Sequence, residues 1–78
     1  MHKVKAFVNT RYSKEWKQGE GYENGSIAVN EDGSYTVYDG GQNYMGKIMA
    51  DGEVVCKGSS IEYKMSFIDS AKDALGLA

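Results

Sequence analysis

Apolar residues recur at alternate positions over several short stretches of this chain, and Asx-Gly pairs stand between them. The stretches 26–29, 34–38 and 43–49 contain Ile27, Val29, Tyr35, Val37, Tyr38, Tyr44 and Ile48, residue types that suit a pleated surface. Four dipeptides punctuate them: Asn24-Gly25, Asp32-Gly33, Asp39-Gly40 and Asp51-Gly52. Asn and Asp tolerate positive φ and bond their own backbone, and Gly enters the left-handed region without a Cβ clash, so each pair predicts a chain reversal. The pattern predicts an antiparallel meander.

Loop length then assigns faces. Asn30-Glu31-Asp32-Gly33 has the composition of a type I turn closed by a glycine bulge, a three-residue loop that sets Asn30 opposite Ser34. Val29 then faces Tyr35 and Ile27 faces Val37. Carried on through a reversal at Asp39-Gly40 or Gly40-Gly41 and a two-residue Asp51-Gly52 loop, the register puts Ile27, Val29, Tyr35, Val37, Tyr44, Ile48 and Val55 on one face. Tyr38, Met45, Met49, Val54 and Cys56 fall on the other, broken by Thr36 and Lys47. Both faces are apolar enough to need cover.

Before the meander, residues 3–9 alternate as a strand with Val4, Ala6 and Val8 on one side, and only Phe7 breaks the pattern. Residues 10–25 show little periodicity and read as a long irregular segment. Within it 13–19 suits one or two helical turns, with Ser13 as N-cap and Gly19 as terminator.

The C-terminal third has two readings. Ile61, Tyr63, Met65 and Phe67 alternate as a strand, whereas at 100° per residue Ile61, Met65, Ile68, Ala71 and Leu75 line one side of a helix, opposite Glu62, Ser66, Asp69, Ser70 and Asp73. In the helical reading Ser59 and Glu62 form a capping box. The weak helix propensity of Tyr, Phe and Ile favours a further strand over about 60–65. A short helix over 67–75 follows, capped by Ser66 and stopped by Gly76. The expected fold is therefore a single α+β domain over residues 1–78. Its sheet is an antiparallel β-meander of four to six strands, open or curled into a small barrel, with one C-terminal helix.

Composition narrows the picture. Seventy-eight residues make one domain, near the lower limit for a core without a disulfide or metal. One cysteine precludes an internal disulfide, and the start Met1-His2-Lys3-Val4-Lys5 lacks the apolar run of a signal peptide, which points to the cytoplasm. Mean hydropathy is −0.52, and no stretch approaches the ~20 apolar residues of a membrane span. Charge is unevenly placed. Residues 1–17 carry five cations against Glu15, net +4, whereas 18–56 carry seven carboxylates against Lys47, net −6.

No catalytic constellation emerges, and neither a metal nor a cofactor is implied. His2 is the single histidine and is remote in sequence from Cys56, which reads as a small apolar core residue. The run Gly19-Glu20-Gly21-Tyr22-Glu23-Asn24-Gly25 lacks the strand-before, helix-after context of a phosphate loop, and its glutamates would repel an anion. The turns are more informative, because alternate reversals of a meander share an end. Glu31 and Asp32 thus join Asp51 and Glu53 at one acidic pole, beside an apolar second face bearing Tyr38, Met45 and Met49. Together these seven residues suggest a non-enzymatic protein-binding surface. Size and charge suit a phage or mobile-element inhibitor of a host nucleic-acid enzyme.

Two alternatives stand beside this. Lys3, Lys5, Arg11, Lys14 and Lys17, interleaved with Tyr12 and Trp16, form a candidate single-stranded nucleic-acid site, in which cations meet phosphates and rings stack on bases. An overall pI near 5.2 weighs against it. The third reading is a self-associating subunit, a homodimer that completes a small core.

Overall fold

A computed structural model describes residues 4–16 and 19–77, with the backbone alone over 13–16 and 19–22. Five strands, β1 (Val4–Trp16), β2 (Gly19–Val29), β3 (Tyr35–Asp39), β4 (Tyr44–Ile48) and β5 (Val54–Val55), precede one helix, α1 (Ile61–Leu75). The strands form one antiparallel sheet in sequence order, β1-β2-β3-β4-β5. The predicted meander is present, and it stays open rather than curling into a barrel.

The helix covers one face. Its Phe67, Ile68 and Ala71 meet Phe7, Ile27, Val37, Met45 and Ile48 in one core cluster. Ile27, Val37, Ile48, Phe67 and Ile68 are fully buried, each contributing roughly 1.5–3 kcal/mol relative to exposure. Four rings stack edge to face along this layer: Phe7 on Phe67 at 6.2 Å, Phe67 on Tyr63 at 5.2 Å and Tyr63 on Tyr12 at 5.1 Å.

The β2–β3 hairpin forms as its composition dictates. Val29 pairs with Tyr35 and Ile27 with Val37. The loop closes through Asn30 N–H to Ser34 O at 2.8 Å and Gly33 N–H to Asn30 O at 3.0 Å, with Gly33 at φ +87°. The β4–β5 loop repeats that geometry instead of the expected two-residue form. Met49 N–H donates to Glu53 O at 2.7 Å, Gly52 N–H to Met49 O at 2.8 Å, and Gly52 lies at φ +92°. One extra loop residue shifts parity, so Val54 pairs with Ile48 and packs on the core while Val55 pairs with Lys47 on the other face.

A bulge makes the second correction. Val37 pairs with Gly46 but Tyr38 pairs with Tyr44, so Met45 is an extra residue on β4. Met45 turns into the core, 6% exposed, and Tyr44 turns out, 52% exposed, the reverse of the faces expected from an unbroken register. Gly46 makes this possible. Its φ is +154°, and a Cβ there would lie 2.8 Å from Val55 O and 2.9 Å from Ile68 Cδ1.

The N-terminal third departs furthest from expectation. Residues 10–16 and 19–25 are not an irregular segment: 13–16 continue β1, and Gly19 through Asn24-Gly25 belong to β2, so there is neither a helical turn capped by Ser13 nor a reversal at Asn24-Gly25. Gly25 serves close approach. A Cβ would stand 2.6 Å from Phe7 Cζ and 2.8 Å from Tyr38 O. The phenyl ring fills that space, so Phe7 and Asn9 face the helix while Val4, Ala6 and Val8 point away. Among the described residues of this stretch, irregularity survives as a register shift between Asn9 and Ser13, where Thr10, Arg11 and Tyr12 lie between successive pairs with β2.

At the C-terminus the strand expected over 60–65 is absent, because α1 starts at Ile61. Fifteen residues at ~1.5 Å give about 22 Å of helix, enough to cross the sheet, and the i, i+4 spacing sets Tyr63 and Phe67 together on the core. Ser66 is not an N-cap but an interior residue whose hydroxyl donates to Tyr63 O at 2.5 Å. The N-cap position is held by Ser60, in left-handed backbone and without a side-chain cap bond. Gly76 stops the helix as expected: at φ +74° it donates to Asp73 O, and Leu77 N–H donates to Lys72 O at 2.8 Å.

Candidate interaction face

The sheet face opposite α1 carries Val4, Ala6 and Val8 from β1, Asn24, Ser26 and Ala28 from β2, Thr36 and Tyr38 from β3, Tyr44 and Lys47 from β4, Met49 just beyond it, and Val55 from β5. The pairings place them there: Val4 with Ala28, Tyr38 with Tyr44, Thr36 with Lys47, and Lys47 with Val55. No described element packs on this side. Val4 is 70% exposed and Val8 48%, while Tyr38, Met49 and Val55 are half-buried against their neighbours. Tyr38 and Tyr44, adjacent across two strands, form its aromatic centre. Partial burial, followed by the nearby Cys56 and Tyr38, pushes the Tyr44 phenol up from its ordinary value.

Of the side chains expected here, Tyr38 and Met49 are present and Met45 is not, since the bulge carries it into the core. Tyr44, Val4 and Val8 were missed. The one signal for Tyr44 was the glycine at 46 inside a strand, a residue that commonly marks a bulge.

The acidic pole forms as the topology requires. A Cβ on Gly33 would lie 3.5 Å from Ala50 Cβ, so the two loop tips are neighbours. Glu31 and Asp32 are thereby set beside Asp51 and Glu53. Two of these carboxylates already work within their own turns. Asp32 Oδ1 accepts from Ser34 N–H at 2.9 Å and Ser34 Oγ at 2.6 Å, and Asp51 Oδ1 accepts from Glu53 N–H at 2.9 Å. The Ser34 bonds, aided by the Lys47 charge, hold the Asp32 carboxyl below its ordinary value. Asp39 does the same at the opposite pole, accepting from the Gly41 and Asn43 amides at 2.9 Å each. Among the described residues no three His, Cys, Asp or Glu side chains gather as a metal would need. His2 lies outside the described residues. Cys56 is half-buried, with its thiol 3.6 Å from Met45 O.

The basic N-terminal set is drawn toward the helix. Arg11 forks onto Asp73 Oδ2, with Nη2 at 2.7 Å and Nε at 3.2 Å, and Lys5 Nζ donates to Ala74 O at 2.7 Å. Tyr12 lies against Tyr63. Lys3 and Lys17 fall outside the described residues, as do the side chains of Lys14 and Trp16. The three described members thus spend their contacts inside the fold, on a side of the sheet away from the open face.

A further polar group joins Tyr63, whose hydroxyl donates to Glu23 Oε2. Burial foremost, then that bond and the charges of Glu23 and Asp39, raise the Tyr63 phenol well above its ordinary value. Sequence alone offered no signal for this pair, whose members are 40 residues apart.

No helix among the described residues is long and apolar enough to cross a membrane. No family model matches the chain, and neither a curated protein nor a solved structure is detectably similar to it.

Proposed function

We propose that this chain is a non-enzymatic binding protein that uses the open face of its sheet to occupy a protein surface. One observation carries the reading: an apolar face centred on Tyr38 and Tyr44 and flanked by Val4, Val8, Met49 and Val55 has no cover within the described chain. A half-solvated antiparallel sheet ordinarily turns polar residues outward, and the core of a protein interface is aromatic, Met-rich and poor in charge. Lys47 is the one charged side chain among the face residues named above. The Lys47 charge on the face acts on Asp32 of the acidic pole, and the pole would supply a polar rim.

Tagged chain is used to recover partners from cell lysate, untagged copies of the chain included, and compared with Tyr44→Glu, Met49→Glu and the pole variants Glu31→Ala and Glu53→Ala. Asp32 and Asp51 are left intact because their carboxylates hold the turns. Loss of every recovered partner with the face variants supports the reading. Recovery indifferent to Tyr44→Glu and Met49→Glu overturns it.

A further inference from the structure

We propose that the occupant of the open face is a second copy of this chain, the two sheets packing face to face about a two-fold axis; this rests on the reading of that face as a binding surface.

Charge points to a self-partner. The face offers a nucleic acid no basic track and offers a charged protein surface almost nothing to read, since only Lys47 among its named residues carries charge. Two copies meet apolar surface with apolar surface, and with the two sheets running antiparallel the acidic poles fall at opposite ends, which leaves the Lys47 pair as the like-charge contact on the face. Shape agrees. Sheets pack aligned when their twists match, and identical copies share both twist and strand spacing.

Area fits a modest interface. Four strands at ~4.8 Å with about five facing residues of ~3.3 Å each, and the two-residue β5 at the edge, give a face of roughly 350 Å² in plan. Relief from Tyr38, Tyr44 and Met49 raises the accessible area above the plan, so a face-to-face pair approaches the ~1,000 Å² of a specific, modest-affinity interface. The core also gains. Among the described residues eight apolar side chains are buried between sheet and helix, and a second sheet would bury the other side.

Sedimentation equilibrium of the pure full-length chain from micromolar to ~1 mM tests this, with Tyr44→Glu and Val8→Lys as variants. Both sites are exposed, and far-UV circular dichroism checks that each variant is folded. The expected result is a mass approaching twice 8.6 kDa as concentration rises, with dissociation constants weakened at least tenfold in both variants. A wild-type chain that stays monomeric at 1 mM overturns the inference. So does a dimer that neither variant weakens. If the pure chain is monomeric yet recovers a lysate protein in a Tyr44-dependent way, the binding reading stands and only the self-partner falls.

Discussion

Asn9 Nδ2 donates to Ser66 Oγ across 2.9 Å at a point sealed from water, joining the first strand to the middle of the helix. Ser70 Oγ returns a bond to Asn9 Oδ1 at 2.8 Å, and Arg11 N–H donates to the same oxygen at 3.1 Å. No buried side-chain polar atom among the described residues lacks a partner. This network fixes how β1 and α1 dock, because any slide of one past the other would strand a buried amide.

Removing its centre is therefore costly. Asn9→Leu leaves both serine hydroxyls and the Arg11 amide without their acceptor or donor, and it should lower stability by about 2–4 kcal/mol. Urea unfolding followed by tryptophan fluorescence measures it, and a loss below about 1 kcal/mol would mean that the network contributes little.

Gly25 should resist any side chain. Gly25→Ala places a Cβ against the Phe7 ring and the Tyr38 carbonyl, and overpacking of this kind costs about 1–3 kcal/mol. The double variant Gly25→Ala with Phe7→Leu should recover part of that loss if the ring is the obstacle. Thermal melts of the three proteins decide.

The Tyr63 phenol sets an alkaline limit. Its ionisation is raised in the folded chain above the unfolded value of 10.0, so the folded state holds that proton more tightly. The stability this represents is fully present below pH 10 and is lost as pH rises through the folded value. Stability should fall between pH 10 and 11.5, and Tyr63→Phe should make that fall shallower. Equal slopes in the two proteins would contradict the assignment.

The fork from Arg11 to Asp73 joins half-exposed side chains, 48% and 42% accessible. Water and salt screen such a pair, so a double-mutant cycle over Arg11→Ala and Asp73→Ala should return only about 0.2–1 kcal/mol, less at 1 M salt. A coupling above about 2 kcal/mol would show that β1 depends on it.

The legible parts of this fold are those whose cause is local. Asn30, Asp32 and Gly33 hold their hairpin with bonds inside five residues, and Gly76 ends α1 through its own backbone. Composition is therefore enough to place Val29 opposite Tyr35. Where two local outcomes were close in energy, contacts from elsewhere chose. Ile61 to Phe67 alternates like a strand yet winds into helix, because helical spacing lets Tyr63, Phe67 and Ala71 cover one side of the sheet together.

The same division applies to the candidate face. Residue order by itself determined a meander with apolar residues on both sides and acidic loops sharing a pole, since strand alternation and turn chemistry are properties of adjacent residues. Only the tertiary structure decided which side would be core. Gly25 admits the Phe7 ring and Asn9 meets two serines of the helix, so β1 turns Val4 and Val8 outward. Gly46 lets β4 approach Ile68 through a bulge, which draws Met45 in and sends Tyr44 out. A shift of one residue inverts every side chain beyond it, and that shift was set by packing between distant segments.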